Sequence, residues 1–378
     1  MRVLSLFANI GVAEAYLHDI GFDVVVANEL ENRRAKIYRK IYPNSQMICG
    51  DIIDTVIFEK VVKESLNKKV EIIMATPPCQ GMSTAGLIDE NDVRNKLIIP
   101  VIKAIKDIKP KYVFIENVPL FFNTEIEFKG KKILIPDLIK QELDENYNIL
   151  EYMINTKDYS VPQTRERAII LMTRRDMNLK LWELPKGDDQ VITMRDAIGN
   201  LPMLDPYVTD ISEEELEKLF PHFHQRKENA LNISKWHIPP HHVLRQVIAM
   251  QHTPSGCTAF DNKKYYPTKL NGEKVKGYRN TYKRQNWDTP AYTVTMDNRK
   301  ISSQNNVHPG RFEYTSSEGN SIYSDARALT LYELMLIMSI PEHWPIPDDA
   351  SEAFIRRIIG EGIPPLFVRK VFESIGDK

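Results

Sequence analysis

Residues 72–83 read Ile72-Ile73-Met74-Ala75-Thr76-Pro77-Pro78-Cys79-Gln80-Gly81-Met82-Ser83. Four apolar residues that stop at Thr-Pro-Pro predict a short buried strand, because proline has no N–H for a sheet and stiffens the chain. The cysteine follows where the carboxyl end of that strand meets a loop. In open α/β sheets, ligands bind at that edge. A cysteine there is poorly sited for core packing and well sited as a nucleophile, although filling a turn is its commoner fate.

Working outward, residues 3–7, 24–27, 113–115 and 169–172 are further short apolar runs closed by Gly, Pro or Asn. Between two of them, residues 97–108 place Ile98, Val101, Ile102 and Ile105 at helical spacing. Strand alternating with helix predicts a mostly parallel sheet covered on both faces, a Rossmann-like α/β domain over residues 1–185. After Pro185 the texture turns to Pro, His, Asn and Tyr, and helical periodicity is confined to residues 212–220 and 329–338. This predicts a smaller, irregular domain with short strands over 186–345. Residues 350–378 turn helical again through Phe354, Ile355, Ile358, Ile359, Phe367, Val368, Val371 and Phe372, and are expected to complete the first domain. A length of 378 residues suits two domains.

Composition excludes more than it assigns. Hydrophobic residues make up 42% and charged residues 27%, which excludes a disordered or collagen-like chain. The net charge of −1 means that any nucleic-acid footprint is local. Such a footprint is legible in residues 263–311, where eleven Lys and Arg face three acids and alternate with Tyr265, Tyr266, Tyr278, Tyr282, Trp287 and Tyr292. Taken alone this is as readily a solvated surface; on a near-neutral chain it also suits a phosphate-contacting face. Cys49, Cys79 and Cys257 form no close pair, which argues against a disulfide framework or a zinc ribbon. Asn9 and Gly11 interrupt the first apolar run too early for a signal peptide, and no apolar run is long enough to span a bilayer. A soluble cytoplasmic protein is expected.

Five other segments are candidates for the same site. Phe7-Ala8-Asn9-Ile10-Gly11 follows the first strand and opens a helical pattern, which predicts free backbone N–H groups at a helix start. Asn28-Glu29-Leu30 ends the second strand, with the acid 22 positions after Phe7, a spacing that suits a grip on ribose hydroxyls. Asp51, followed by Ile52, is a further acid, placed to accept from an adenine amino group. Glycines are too sparse for a pyrophosphate cradle, so a nucleoside without phosphates fits better. Glu29 taken alone is as readily a surface acid. Glu116-Asn117-Val118 closes the next strand and brings a carboxyl group toward Cys79. In Gln163-Thr164-Arg165-Glu166-Arg167 the two arginines are expected to diverge, one reaching the pocket and one bracing the structure.

A thiol, a carboxyl group, an arginine and a nucleoside cofactor suit methylation at carbon 5 of a pyrimidine. That carbon becomes nucleophilic only after a thiolate adds at C6 with protonation at N3. The ordered blocks Leu6–Gly11, Asn28-Glu29, Gly50-Asp51-Ile52, Pro77-Pro78-Cys79-Gln80, Glu116-Asn117-Val118, Gln163–Arg167, Arg327-Ala328-Leu329-Thr330 through Glu333, and Gly360-Glu361-Gly362-Ile363-Pro364-Pro365 resemble the C5-cytosine DNA methyltransferase family. The resemblance runs from Arg2 to about Ile375. It implies Cys79 as nucleophile, Glu116 as N3 proton donor, Arg165 as holder of a flipped-out cytosine and Arg167 as mainly structural. It implies an S-adenosylmethionine pocket lined by Phe7, Ala8, Asn9, Ile10, Gly11, Glu29, Leu30, Asp51, Ile52, Pro78, Leu97, Glu361 and Ile363. The substrate side would draw on Gln80, Ser83, Asn117, Gln163, Arg284, Thr293, Val294 and Arg299, with Tyr292-Thr293-Val294 similar to the family's recognition dipeptide region. Ser5, Asn9, Val12, Leu30 and Glu361 differ from the residues usual in the family. The implied partner is double-stranded DNA, for a monomeric, nucleoid-associated enzyme with a cognate restriction endonuclease encoded nearby. The alternatives are a structured RNA such as transfer RNA, the substrate of one family branch, and a degenerate scaffold that only binds DNA.

Overall fold

The computed structural model describes residues 1–78, 93–277, 279–301 and 305–376. Its strands in chain order are β1 (Arg2–Leu6), β2 (Asp23–Glu29), β3 (Gln46–Cys49), β4 (Ile72–Ala75) and β5 (Tyr112–Asn117). A hairpin of β6 (Glu125–Phe128) and β7 (Lys131–Leu134) follows, then β8 (Tyr147–Asn155) and β9 (Glu166–Arg174). Seven of these form one sheet in the order β3-β2-β1-β4-β5-β9-β8. β1 to β5 run parallel, while β9 lies antiparallel between β5 and β8. The five expected strands are present. β3, only four residues long, was legible only through its end near Asp51, and β8 was not anticipated, being an edge strand whose side chains are mostly half-exposed.

β1 pairs with both β2 and β4, so the chain order reverses there, and the registers Leu6↔Asn28, Leu6↔Ala75 and Ala75↔Ile115 align the carboxyl ends of four strands. A crevice at such a switch point is where an open α/β sheet takes its ligand.

The helices are α1 (Asn32–Ile41), α2 (Thr55–Asn67), α3 (Ile98–Ile108), α4 (Ile135–Leu143), α5 (Met194–Ile198), α6 (Glu213–Leu219), α7 (Phe223–Ile233), α8 (Leu244–Gln251), α9 (Leu331–Ile337), α10 (Glu352–Glu361) and α11 (Pro365–Gly376). Alternation along the strands divides the core between the two faces of the sheet. Leu4, Ile73, Val113 and Ile115 pack against α2, α3 and α4. Val3, Ile72, Met74 and Phe114 meet Phe367, Val368, Val371 and Phe372 of α11, with Trp182 filling the gap between them. Each of these buried apolar side chains stabilises the fold by about 1.5–3 kcal/mol relative to exposure.

Residues 186–345 carry two small sheets, β10 (Tyr207–Val208) with β11 (His241–His242) and β12 (Phe312–Thr315) with β13 (Ser321–Tyr323). Val208, Phe223, Val247, Met250 and Val307 form a core of their own. The stretch holds more helix than its periodicity suggested: α7 buries only Phe223 and Ala230, so it has almost no apolar stripe to read. The apolar clusters also do not divide at 185 and 345. Leu331, Leu334, Ile337 and Trp344 share a cluster with Ile10, Ile37 and Ile41 of the sheet half and with Ile355 and Ile359 of α10.

No α-helix follows β1. Residues 11–17 are turns, and the first regular element is the 3-10 turn His18–Ile20. The expected helix start is therefore absent, and the loop is shaped instead by Phe7 and Asn9 in left-handed conformation (φ 60° and 53°). Gly11 (φ 86°) lies so close to Tyr42 that an added Cβ would stand 2.1 Å from its ring. Among the described residues no helix is long and apolar enough to cross a membrane.

Candidate active site

The sheet edge assembles the chemistry in pairs. Glu116 is the fifth residue of β5, and Arg167 enters from β9, the antiparallel neighbour. Arg167 Nε lies 2.7 Å from Glu116 Oε1, with both side chains about nine-tenths buried. One residue on, Asn117 Nδ2 donates to the carbonyl of Pro77 at 3.0 Å, and its Oδ1 accepts from the Val118 N–H at 2.9 Å. Asn117 thus ties the end of β5 to the chain leaving β4, two residues before Cys79 in sequence. Its side chain, expected on the substrate side, is engaged by the protein's own backbone. Cys79, Gln80 and Ser83 lie outside the described residues.

The two arginines are placed the opposite way round from expectation. Arg165 is 2% exposed, and its guanidinium donates to the carbonyls of Val294 (2.9 Å) and Gly360 (3.0 Å). It braces the structure, while Arg167 meets the candidate acid. Strand alternation does not separate them, since residues two apart in a strand share a face. They diverge because β9 begins at Glu166, leaving Arg165 in the turn before it.

Three further substrate candidates prove to be packing residues. Gln163 is fully buried: its Oε1 accepts from the Val294 N–H at 3.0 Å and its Nε2 donates to Met338 Sδ. Val294 is 3% exposed and belongs to the apolar cluster around Trp287. Arg284 is also fully buried, donating to the backbone carbonyls of four residues, Met250, His308, Ser324 and Asp325. Thr293 and Arg299 are exposed, and Thr293 Oγ1 donates to the carbonyl of Thr164 at 2.7 Å. Residues 292–294 are thereby fastened to the segment that precedes β9. Of the aromatic residues in the basic stretch, Tyr282 and Trp287 are core, whereas Tyr292 is exposed and accepts from Lys283 Nζ at 2.8 Å.

On the cofactor side, Glu29 ends β2 with its carboxylate buried. Its Oε2 accepts from the Asn9 N–H at 2.9 Å and its Oε1 from the Glu31 N–H at 2.8 Å. Burial raises its pKa, opposed by those two N–H groups and by Arg34. Each carboxylate oxygen accepts about two hydrogen bonds, so capacity remains for a pair of ribose hydroxyls. Asn9 Oδ1 is buried and accepts nothing among the described residues, an acceptor left over inside the loop. Asp51 is exposed just after β3, and Leu30, following β2, is 63% exposed. Phe7 and Pro78 are half-buried. These residues fit a nucleoside with a hydroxyl pair and a polar tail. Ala8, Ile10, Ile52, Leu97 and Ile363 are instead buried in the apolar clusters, where they form the floor behind the loop. Glu361, at the end of α10, pairs with Arg34 of α1. No motif marks Arg34, whose place is set by three-dimensional packing.

A sheet with this switch point, an acid at the second strand end and a buried carboxylate–arginine pair in the strand next to β4 define an α/β fold with a candidate nucleoside site at its carboxyl edge. The chain belongs to the C-5 cytosine-specific DNA methylase family, whose model matches residues 1–377. It is 42% identical over 377 residues to the Type II methyltransferase M1.HgaI of Avibacterium volantium, covering 98% of this chain and 97% of that one. It is 24% identical to the Type II methyltransferase M1.HphI of Haemophilus parahaemolyticus over 99% of this chain and 86% of that one. Among solved structures, a prophage-encoded DNA modification methyltransferase of Escherichia coli shares the fold with a TM-score of 0.67 at 18% identity, covering 100% of this chain and 98% of the other.

Proposed function

We propose that this C5-cytosine DNA methyltransferase works through Cys79, Glu116 and Arg167, with S-adenosylmethionine as methyl donor and a flipped-out cytosine of duplex DNA as substrate. The observation that carries the reading is the Glu116–Arg167 pair at the carboxyl edge of the sheet, in the strand next to the one that leads into Cys79. The Cys79 thiolate adds to C6 of the cytosine, and Glu116 holds a proton at N3, so that electron density gathers at C5. Arg167 orients the Glu116 carboxyl through Oε1. After transfer, loss of the C5 proton expels the Cys79 thiolate and restores the ring. When bound, S-adenosylmethionine supplies a methyl group on a sulfonium; Glu29 would hold its ribose, Asp51 its adenine, and the 7–11 loop its polar tail.

A stacked cytosine exposes neither face of C5–C6, so the base must leave the helix at a cost of a few kcal/mol. Half-buried Lys283 and exposed Tyr292, Thr293 and Arg299 suit a face that holds the duplex. The relatives' type II assignment supports a restriction–modification role with a cognate endonuclease, and one subunit carries every group the chemistry uses.

The test incubates purified protein with methyl-labelled S-adenosylmethionine, offering unmethylated genomic DNA and bulk transfer RNA side by side, followed by bisulfite sequencing. Label at C5 of DNA cytosines within one short motif is the expected result. Label only in RNA would overturn the substrate, and label in neither would support the degenerate scaffold.

A further inference from the structure

Five residues from three separate parts of the chain close a ring around the Glu29 carboxylate. Asn9 gives its backbone N–H to Glu29 Oε2 (2.9 Å) and its side-chain Nδ2 to Glu361 Oε2 (3.3 Å). Glu361 receives Arg34 through both oxygens, Nη1 to Oε2 at 2.8 Å and Nη2 to Oε1 at 3.4 Å. Arg34 Nε pairs with Glu31 at 3.2 Å, and the Glu31 N–H returns to Glu29 Oε1 at 2.8 Å. Glu361 and Arg34 are largely buried, with 16% and 13% of their side chains exposed.

We propose that Glu361, brought in by the C-terminal helix α10, is a positioning residue for the cofactor pocket: through Arg34 and Asn9 it fixes the left-handed 7–11 loop and the Glu29 carboxylate in the geometry that grips S-adenosylmethionine. This rests on the reading that the chain uses that cofactor. Three observations carry it. Asn9 stands at φ 53°, a conformation that a short side-chain amide tolerates and that its bond to Glu361 holds in place. Its amide is thereby oriented with Nδ2 toward Glu361 and the buried Oδ1 left over, an acceptor suited to the cofactor's ammonium group. Finally, three carboxylates surround the Arg34 guanidinium, with Arg357 at the rim, so the ring favours a cation over a neutral or anionic ligand. The residues at 9 and 361 are thus matched to each other through Arg34.

The experiment measures S-adenosylmethionine affinity by calorimetry on the full chain, with melting temperature and steady-state kinetics. Glu361→Gln keeps the shape and removes the charge. The expected result is cofactor binding weakened by roughly 5–10-fold, with kcat at saturating cofactor within about twofold and a preserved cooperative melt. Arg34→Gln should behave alike, and the double variant should lose no more than either single one, because both break the same ring. Lys40→Ala, which severs the exposed Lys40–Asp349 pair between α1 and the segment before α10, is expected to leave the affinity unchanged. Should Glu361→Gln fail to fold, Arg34→Lys carries the same comparison. Unchanged affinity in folded ring variants, or independent, multiplicative losses in the double variant, would overturn the proposal. A wild-type protein that binds no S-adenosylmethionine would overturn instead the cofactor reading on which it rests.

Discussion

Arg167 of β9 reaches across the sheet to place its Nε 2.7 Å from Glu116 Oε1, while Arg165, two residues earlier, spends its guanidinium on the carbonyls of Val294 and Gly360. The first contact lies at the sheet edge, on the proposed catalytic carboxyl. The second ties residues 292–294 and helix α10 to the segment before β9. Loss of Arg167 therefore removes a contact to the proposed acid, and loss of Arg165 strands buried carbonyl groups.

Arg167→Ala is expected to lower kcat by about 10²-fold or more, with cofactor affinity and melting temperature near wild type. Arg165→Ala is expected to cost about 2–5 kcal/mol of stability, because unpaired buried carbonyls cost about 1–3 kcal/mol each. Urea unfolding beside steady-state kinetics separates the two. An Arg167 variant with normal turnover would return the catalytic role to Arg165.

Glu116→Gln should slow methyl transfer by about 10²–10⁴-fold, the usual worth of a positioned acid. The amide keeps a hydrogen bond to N3 but delivers no proton. Cofactor binding, read by calorimetry, should not change. A single-turnover rate equal to wild type would show that another group protonates N3.

Glu14 lies buried behind the 7–11 loop, bonded by the Tyr38 hydroxyl, and burial raises its pKa to about 7. The folded state thus keeps a proton that the unfolded chain releases near pH 4.5. Its contribution to stability is full below about 4.5 and is lost as pH rises through about 7. Glu14→Gln should therefore gain relative to wild type on going from pH 5.5 to 8, by a few kcal/mol at most, as measured by urea unfolding at both values. A pH-independent difference between the two proteins would contradict this assignment.

Arg327 is fully buried between Asp325 Oδ1 (2.8 Å) and both oxygens of Glu333 (2.8 and 2.9 Å), and Glu333 also forms a capping box with Thr330 at the start of α9. Arg327→Met would leave Glu333 without its arginine and Asp325 with Arg311 alone, at a cost of about 3–5 kcal/mol. A drop in urea midpoint without change in the slope is the expected signature. An unchanged midpoint would mean that the site relaxes to admit water.

The parallel half of the sheet was legible because its strands are buried on both faces and read as unbroken apolar runs, as Ile72–Ala75 does. The edge strand β8 and the weakly amphipathic α7 were not, since each buries too few side chains to print a period. Glu29, Asp51 and Glu116 were readable as acids at strand ends. The roles of Arg165, Gln163, Arg284 and Val294 were not. An arginine on a phosphate and an arginine bonded to backbone carbonyls are the same letter, and what decides between them is burial contributed by distant chain. Glu361 was legible as a departure from the residue usual in the implied cofactor pocket, but its partner, Arg34, lies 327 positions away and was not.

The most direct test of the account uses duplex DNA carrying 5-fluorocytosine at the mapped target, with S-adenosylmethionine. Fluorine at C5 cannot leave as a cation, so a thiolate added at C6 stays bonded after transfer. The account predicts a denaturant-stable protein–DNA adduct that mass spectrometry places on the peptide containing Cys79, and no adduct with Cys79→Ala. An adduct on another residue, or methylated DNA made by the Cys79→Ala protein, would contradict it.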